Sequence, residues 1–430
     1  MKRFVCFILI LALFPSLIAR ANGYENFERY IEKYMDEWGV NSYAAVIIKD
    51  QDEYFINKNS DIFTIFQAGS ITKSLTYLLA EKLHDEEIIN LDTPVNYYLP
   101  QTNYLFSVKD LLNHNSGFSP HLGDFALALG SIIPIEKLVQ TTDTFSYTNI
   151  AYYLYEEIAK SKCGLDFDTL INTYVLSPLG MNFSNTSYEG YINSENKALP
   201  HFFGEDTGDF YENIYLFPSA AGLNTNIYDL SVYLKYLLSQ PEFEGEMRVY
   251  ERENESLEYA KGFYILKSQD YKIYYHTGTS LGMECVIAYD KEQNTGFALL
   301  SDSYPSPAYN IMRAFFEYEK SGVFPNITEP KREYGEIFFE SESYDVSGTY
   351  HHDVYGEVII EDNAIKILDN TFELTQIADK LYKIEFPKNL LYMFKKYSYI
   401  LFQTNEDGKI SGFSVEGINL EGYGGFVKID

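Results

Sequence analysis

Cysteine is scarce in this 430-residue chain, which has three: Cys6, Cys163 and Cys285. Their spacing matches no metal site, and so few cannot build a disulfide framework. Cys163 precedes a helix-ending Gly164 and Cys285 stands in an apolar strand pattern, so two packed thiols are expected. A bridge between them is open only in an oxidising compartment. Basic residues are few as well. Against 62 Asp and Glu there are 33 Lys and Arg, a formal charge of −29, and no basic cluster interleaved with aromatics offsets it. A surface this acidic repels nucleic acid and anionic membranes. The histidines, including His351-His352, lack H-E-x-x-H spacing and read as surface residues rather than metal ligands. No G-x-S-x-G motif is present, which argues against an α/β-hydrolase. Long repeats and low-complexity stretches are missing too, and past residue 21 no segment looks transmembrane.

At the N-terminus, Lys2 and Arg3 precede an apolar stretch, Phe4 to Ile18, and then Ala19-Arg20-Ala21. This reads as a signal peptide over residues 1–21, short for a membrane anchor, and implies an exported protein, periplasmic or secreted. Its loss would remove three basic residues and no acid, deepening the negative charge by three. Cys6 begins the apolar stretch and is poorly placed for lipidation.

The length suggests two or three domains. Residues 24–37 read as a helix with Phe27, Tyr30, Ile31 and Tyr34 on one face. Tyr43–Ile48 and Glu53–Asn57 read as strands. A helix-rich block runs to about residue 240. Within it Ser107-Val-Lys-Asp110 resembles a capping box, and Thr225 is placed to cap the helix of Ile227, Leu230, Leu234 and Leu237. A strand meander follows over 259–301, then a helix over 308–318. Pro325 and Pro330 mark a linker at 323–332. Residues 333–430 change character, with short strand candidates separated by Asp362-Asn363, Asp369-Asn370 and Asp407-Gly408 turns.

The chemistry begins at Gly69-Ser70-Ile71-Thr72-Lys73. An apolar run at helical spacing, Leu75, Leu78, Leu79 and Leu83, follows it. Positions i and i+3 share a helix face, so Lys73 reaches the Ser70 hydroxyl. A serine hydroxyl needs a base to become a nucleophile, and a lysine serves when burial lowers its pKa. Alone, the pattern also fits an amphipathic helix with a solvated lysine. Two further elements bear on the choice. Tyr147-Thr148-Asn149 stands before a helical pattern; its phenol can relay a proton and its amide can orient substrate and Lys73. His276-Thr277-Gly278-Thr279 ends a strand-like run, and Gly278 lets a ligand approach the strand edge. The Thr279 and Ser70 N–H groups can then pair as an oxyanion hole.

Together these elements resemble the serine hydrolases of the beta-lactamase and DD-peptidase superfamily, in particular the class C beta-lactamase-related group. Ser70-x-x-Lys73 matches the S-x-x-K signature. Tyr147-x-Asn149 stands where that group carries Y-x-N, and His276-Thr277-Gly278 where many beta-lactamases carry K-T-G. Leu111-Leu112-Asn113-His114-Asn115-Ser116-Gly117, Pro178-Leu179-Gly180-Met181, Ala220-Ala221-Gly222-Leu223 and Asp92-Thr93-Pro94-Val95 are similar to further segments of the group. His114 is expected to serve the turn at Gly117 rather than act as a base. Glu86-Glu87-Ile88-Ile89-Asn90 reads as a connector after the nucleophile helix.

The resemblance implies an α/β (α+β) fold over residues 22–322: an antiparallel sheet flanked by helices, plus a helical subdomain, with the site between them. Residues 333–430 look like the small all-β, lipocalin-like module found on some such hydrolases. It further implies acyl transfer to Ser70, with Lys73 and Tyr147 moving the proton. Asn149, His276, Thr277, Gly278 and Thr279 would line the substrate and oxyanion sites, and no metal or organic cofactor is called for. The expected partner is a small molecule or peptide, such as a peptidoglycan fragment. A DD-carboxypeptidase or D-aminopeptidase-like enzyme leads. An esterase or amidase is one alternative, and an inert peptidoglycan-binding protein is another. With histidine at 276 in place of lysine, poor beta-lactam turnover is expected. Binding of a substrate carboxylate should then weaken as pH rises through an ordinary histidine pKa near ~6.5.

Overall fold

The computed structural model describes residues 24–50, 52–202, 204–207, 212–280, 282–328, 343–386, 397–420 and 424–429. The expected signal peptide lies outside these residues, as does part of the 323–332 linker. Among the described residues no helix is long and apolar enough to cross a membrane.

Strand alternation explains the first domain. In Tyr43–Lys49, side chains point by turns to opposite faces. Ala44, Val46 and Ile48 enter one core; Tyr43, Ala45 and Ile47 enter another. The strand is therefore buried on both sides and central. It pairs antiparallel with Asp52–Lys58 and with Thr295–Ser301. The sheet continues outward from Thr295–Ser301 through Met283–Asp290, Lys272–Ser280, Phe263–Ser268 and Glu255–Ala260 to Met247–Glu251, eight strands in all. The meander thus begins at Met247, one strand earlier than the sequence pattern indicates. One face is covered by the helices 24–37 and Ala308–Ser321, where Phe27, Ile31, Phe315 and Phe297 meet. The other carries Thr72–Asp85, Asn149–Cys163 and Ile227–Ser239 in the larger core.

Local signals behave unevenly. Ser107 and Asp110 form the expected capping box. The Ile227 helix is capped instead by Asn226, whose side chain accepts from Asp229 N at 2.8 Å. Thr225 is occupied elsewhere, its hydroxyl against Ser184 Oγ at 2.7 Å. Gly164 ends its helix with φ +69°, and Cys163 and Cys285 are both free thiols.

The C-terminal strands close into an eight-stranded barrel, from Gly348–His352 round to Phe426–Lys428. Two of its strands, Asn370–Ala378 and Phe426–Lys428, escape the sequence pattern. Its inward residues include Tyr350, Ile360, Ile365, Phe402 and Phe413. His352, expected at the surface, is buried there. Its Nδ1 accepts from the N–H groups of Val354 and Tyr355, and Phe426 packs on its ring. The barrel rests on the helical subdomain, with Phe125 against Tyr355 and Phe386 and Asn370 Nδ2 donating to Leu129 O at 3.0 Å.

Candidate active site

Ser70 sits in a turn immediately before the helix Thr72–Asp85. Ile71, Leu75, Leu79 and Leu83 anchor that helix and are fully buried. Two glycines allow the close approach of this turn to the strand Lys272–Ser280. Gly69 has φ +52°, and a Cβ there would lie 2.6 Å from the nitrogen of Thr279. A Cβ on Gly278 would lie 1.8 Å from Ala68 O. Any side chain at either position would drive the strand away from Ser70. The neighbouring strand Phe263–Ser268 pairs with this one only as far as Tyr275. Beyond it, the edge from His276 to Ser280 that faces away from Met283–Asp290 has no partner strand among the described residues.

Lys73 is the hub. Its ammonium nitrogen lies 3.0 Å from Ser70 Oγ, 2.7 Å from Asn149 Oδ1 and 2.9 Å from Ala220 O. The rings of Tyr147 and Tyr152 lie 4.8 and 5.4 Å away. The lysine is fully buried. Burial lowers its pKa to about 7, against an opposing pull from the Asp124 carboxylate. A neutral amine has two N–H donors and one lone pair. Two carbonyl oxygens take the donors, and the remaining direction faces the Ser70 hydroxyl.

The Tyr147 ring flanks Lys73, and Ser70 is among the groups that act on its phenol. Burial holds its pKa well above the usual phenol value, so it stays protonated. Asn149 opens the helix Asn149–Cys163. Its Nδ2 donates to Asp124 Oδ1 at 2.9 Å, and Asp124 Oδ2 faces His121 Nδ1 at 3.1 Å. Neither Asp124 nor His121 stands out in the sequence, where each is one acid or imidazole in an unpatterned loop. The carbonyl of Ala220 was legible only as part of the Ala220-Ala221-Gly222-Leu223 segment.

His276 faces the same cluster, its ring 6.0 Å from that of Tyr147 and 5.4 Å from that of Tyr264. The expected pH switch is overturned. Burial and the nearby Lys73 push its pKa down to about 3, so the imidazole is neutral at any ordinary pH. Its Nδ1 contacts Thr277 O at 2.5 Å, and its buried Nε2 has no hydrogen-bond partner among the described residues. His114 is buried and held neutral as well. It braces the Tyr147 loop, accepting from Ser146 N on its carbonyl and from Thr148 N on Nδ1. Among the described residues no cluster of three or more His, Cys, Asp or Glu is placed to hold a metal.

A serine and a desolvated lysine on one turn, met by Tyr-x-Asn and by a strand edge, fit one known family. The beta-lactamase family model matches residues 27–319. The chain belongs to the beta-lactamase family. Similar solved structures include the octameric penicillin-binding protein homologue of Pyrococcus abyssi. That protein is 22% identical with a TM-score of 0.63, over 91% of this chain and 98% of the other. A D-stereospecific amidohydrolase from Streptomyces sp. is similar at 17% identity and TM-score 0.57, over 69% and 98%. A class C beta-lactamase is similar at 17% and 0.56, over 68% and 96%. Beta-lactamase-like protein 4 of Dictyostelium discoideum is 25% identical over 218 residues, 41% of this family member and 38% of that protein.

Proposed function

We propose that this chain hydrolyses amide or ester bonds through an acyl-enzyme on Ser70, and that its substrates are D-amino-acid amides or peptides recognised without a free carboxylate. The observation that carries the reading is the Ser70–Lys73 contact at 3.0 Å, with the lysine desolvated to a pKa of about 7. Neutral Lys73 takes the Ser70 proton as Oγ attacks the carbonyl carbon. The backbone N–H groups of Ser70 and Thr279 receive the oxyanion, each such donor contributing about 3 kcal/mol. Tyr147, a neutral phenol beside Lys73, relays the proton to the leaving group. Water then repeats the attack on the acyl-enzyme, with Lys73 again as base. Asn149 orients both Lys73 and the substrate.

The substrate class follows from charge. Lys73 and Asp124 are the charges acting on His276 and Tyr147, and His276 is neutral. A substrate carboxylate therefore meets no cation from His276. This favours an amidase or aminopeptidase-like activity over a DD-carboxypeptidase, and it fits the likeness to a D-stereospecific amidohydrolase. An esterase is the second reading, supported by the same neutral pocket. A purely peptidoglycan-binding role has no use for a lysine kept at the edge of neutrality beside a serine.

A panel of D-amino-acid amides, D-alanyl peptides, nitrophenyl esters and a chromogenic cephalosporin tests the reading, together with fluorophosphonate labelling. Turnover of D-amides with a single adduct on the Ser70 peptide is expected. Cephalosporin turnover comparable with the best amide or ester would replace it with a beta-lactamase. A positive fluorophosphonate signal with esters alone would leave the esterase.

A further inference from the structure

The chain of contacts behind Lys73 does not stop at Asn149. A carboxamide has a donor end and an acceptor end. Asn149 presents its oxygen to Lys73 and its NH₂ to Asp124 Oδ1. Turned over, it would aim N–H at the lysine and oxygen at a carboxylate. The acid therefore selects the orientation that Lys73 needs. The Asp124 carboxylate is itself pinned by His121, and its side chain is 12% exposed. It opens the short helix Asp124–Ala128, directly after Gly123 in a left-handed conformation. The next residue, Phe125, is the one seated against Tyr355 and Phe386 of the barrel. One turn on, Leu129 O accepts from Asn370 of the barrel.

We propose that Asp124 is a positioning residue of the Ser70 site, fixing the Asn149 amide toward Lys73, and that the C-terminal barrel holds it in place by gripping the helix that it opens. The barrel is thereby part of the catalytic apparatus, although none of its residues named here touches Ser70 or Lys73. The catalytic consequence rests on the function proposed above; the effect on Lys73 itself does not.

Other groups around Lys73 leave Asp124 as the anion that acts on it. Tyr147 and Tyr152 remain phenols because burial raises both. His276 and His114 are held neutral. His121 has a raised pKa, chiefly through its bond to Asp124. Ser70, Asn149 and Ala220 O carry no charge.

The test uses the full chain with lysine labelled at Cε, the Lys73 signal being assigned by its loss in Lys73→Arg. Asp124→Asn keeps a hydrogen-bond acceptor for Asn149 but removes the charge. The Lys73 titration midpoint should fall by about one unit or more. The acylation plateau above pH 8 should fall, but by less than in Asp124→Ala. Asp124→Ala also removes the anchor, and the acylation plateau should fall ~10–100-fold, the scale of a misplaced catalytic group. Asn370→Ala, a mild change on the barrel, should lower the Lys73 midpoint in the same direction by less. An unmoved Lys73 midpoint in Asp124→Asn would overturn the positioning role, whatever the substrate. A normal plateau in Asp124→Ala would do the same. A Lys73 midpoint indifferent to both Asn370→Ala and Tyr355→Leu would overturn the part given to the barrel. Absence of any Ser70 adduct in wild type would count against the proposed function, while the titration would still judge the Asp124 proposal.

Discussion

Two of the described polar clusters pair an imidazole with a largely buried carboxylate, and they differ in where their hydrogen bonds end. Just past the strand Thr295–Ser301, two strands across from Thr279, Asp302 is 1% exposed and has His201 Nδ1 at 3.3 Å. The pair lines an open cleft of about 560 Å³ with Asn41, Ser42, Asp61 and Asn196. By size and residue types this cleft invites a functional reading. Yet Asp302 accepts from Ser42 N, Ser303 Oγ and Asn41 Nδ2 at 2.8–3.0 Å, and Asp302 N donates to Ser42 O. Those bonds lock the start of one strand to the end of its neighbour. In the His121–Asp124 cluster, the bonds run outward through Asn149 and Lys73 to a serine hydroxyl. A cavity and a His–Asp pair do not make a reactive site. A chain of contacts that ends on the proposed nucleophile, beside a desolvated lysine, supports one.

That contrast makes ordered predictions. The largest effect belongs to Ser70→Ala, which should abolish hydrolysis and adduct formation in intact-mass spectra. An unchanged rate would move the reaction elsewhere in the protein. Next come Lys73→Ala and Tyr147→Phe, each expected to slow acylation ~100-fold or more. The double variant should lose much less than the product of the two, because lysine and phenol serve one proton path. Strict additivity in stopped-flow acylation rates would separate their roles.

A third prediction concerns pH. Lys73 acts as base only when neutral, and its pKa is about 7. Acylation should therefore climb as pH rises through that value and level off above it. His276 is already neutral over this window and adds no limb of its own. Tyr147, with its pKa raised well above the ordinary phenol value, gives no fall in rate up to pH 9. A kcat/KM profile falling between pH 7 and 8 would assign the base role to another group.

The residues proposed to react are legible in the sequence because their spacing is local. Ser70 and Lys73 share one helical turn, Tyr147 and Asn149 are two apart, and Gly278 stands where a strand must pass close to a backbone. Asp124 was invisible for the opposite reason. Its importance arises from a contact across 25 residues with Asn149, in a loop without periodicity. His276 was found by motif, but an ordinary pKa near ~6.5 was expected where burial lowers it to about 3, and the motif does not encode burial. The barrel was legible as alternating short strands. Asn370–Ala378 was hidden by the Asp369-Asn370 pair, which reads as a turn but opens a strand. Thr225 lost the helix cap to its neighbour Asn226 because Ser184 engages its hydroxyl, another contact distant in sequence.

The smallest effect on activity is expected in the cleft, and it is the sharpest test of the comparison. Asp302→Asn leaves the shape intact but replaces an acceptor-only carboxylate with an amide that has two donors. Ser42 N, Ser303 Oγ and Asn41 Nδ2 all donate toward this group, so the amide NH₂ must face at least one donor. Leaving a buried donor without its acceptor costs about 1–3 kcal/mol. The variant should therefore unfold at lower denaturant concentration, with the slope of the transition unchanged. Its acylation rate per titrated active site should match wild type. Lys73 should keep its titration midpoint, since Asp302 is not among the groups acting on it. A variant that keeps its stability but loses hydrolysis would reverse the comparison: the cleft would then be functional, and its His201–Asp302 pair would share in substrate handling.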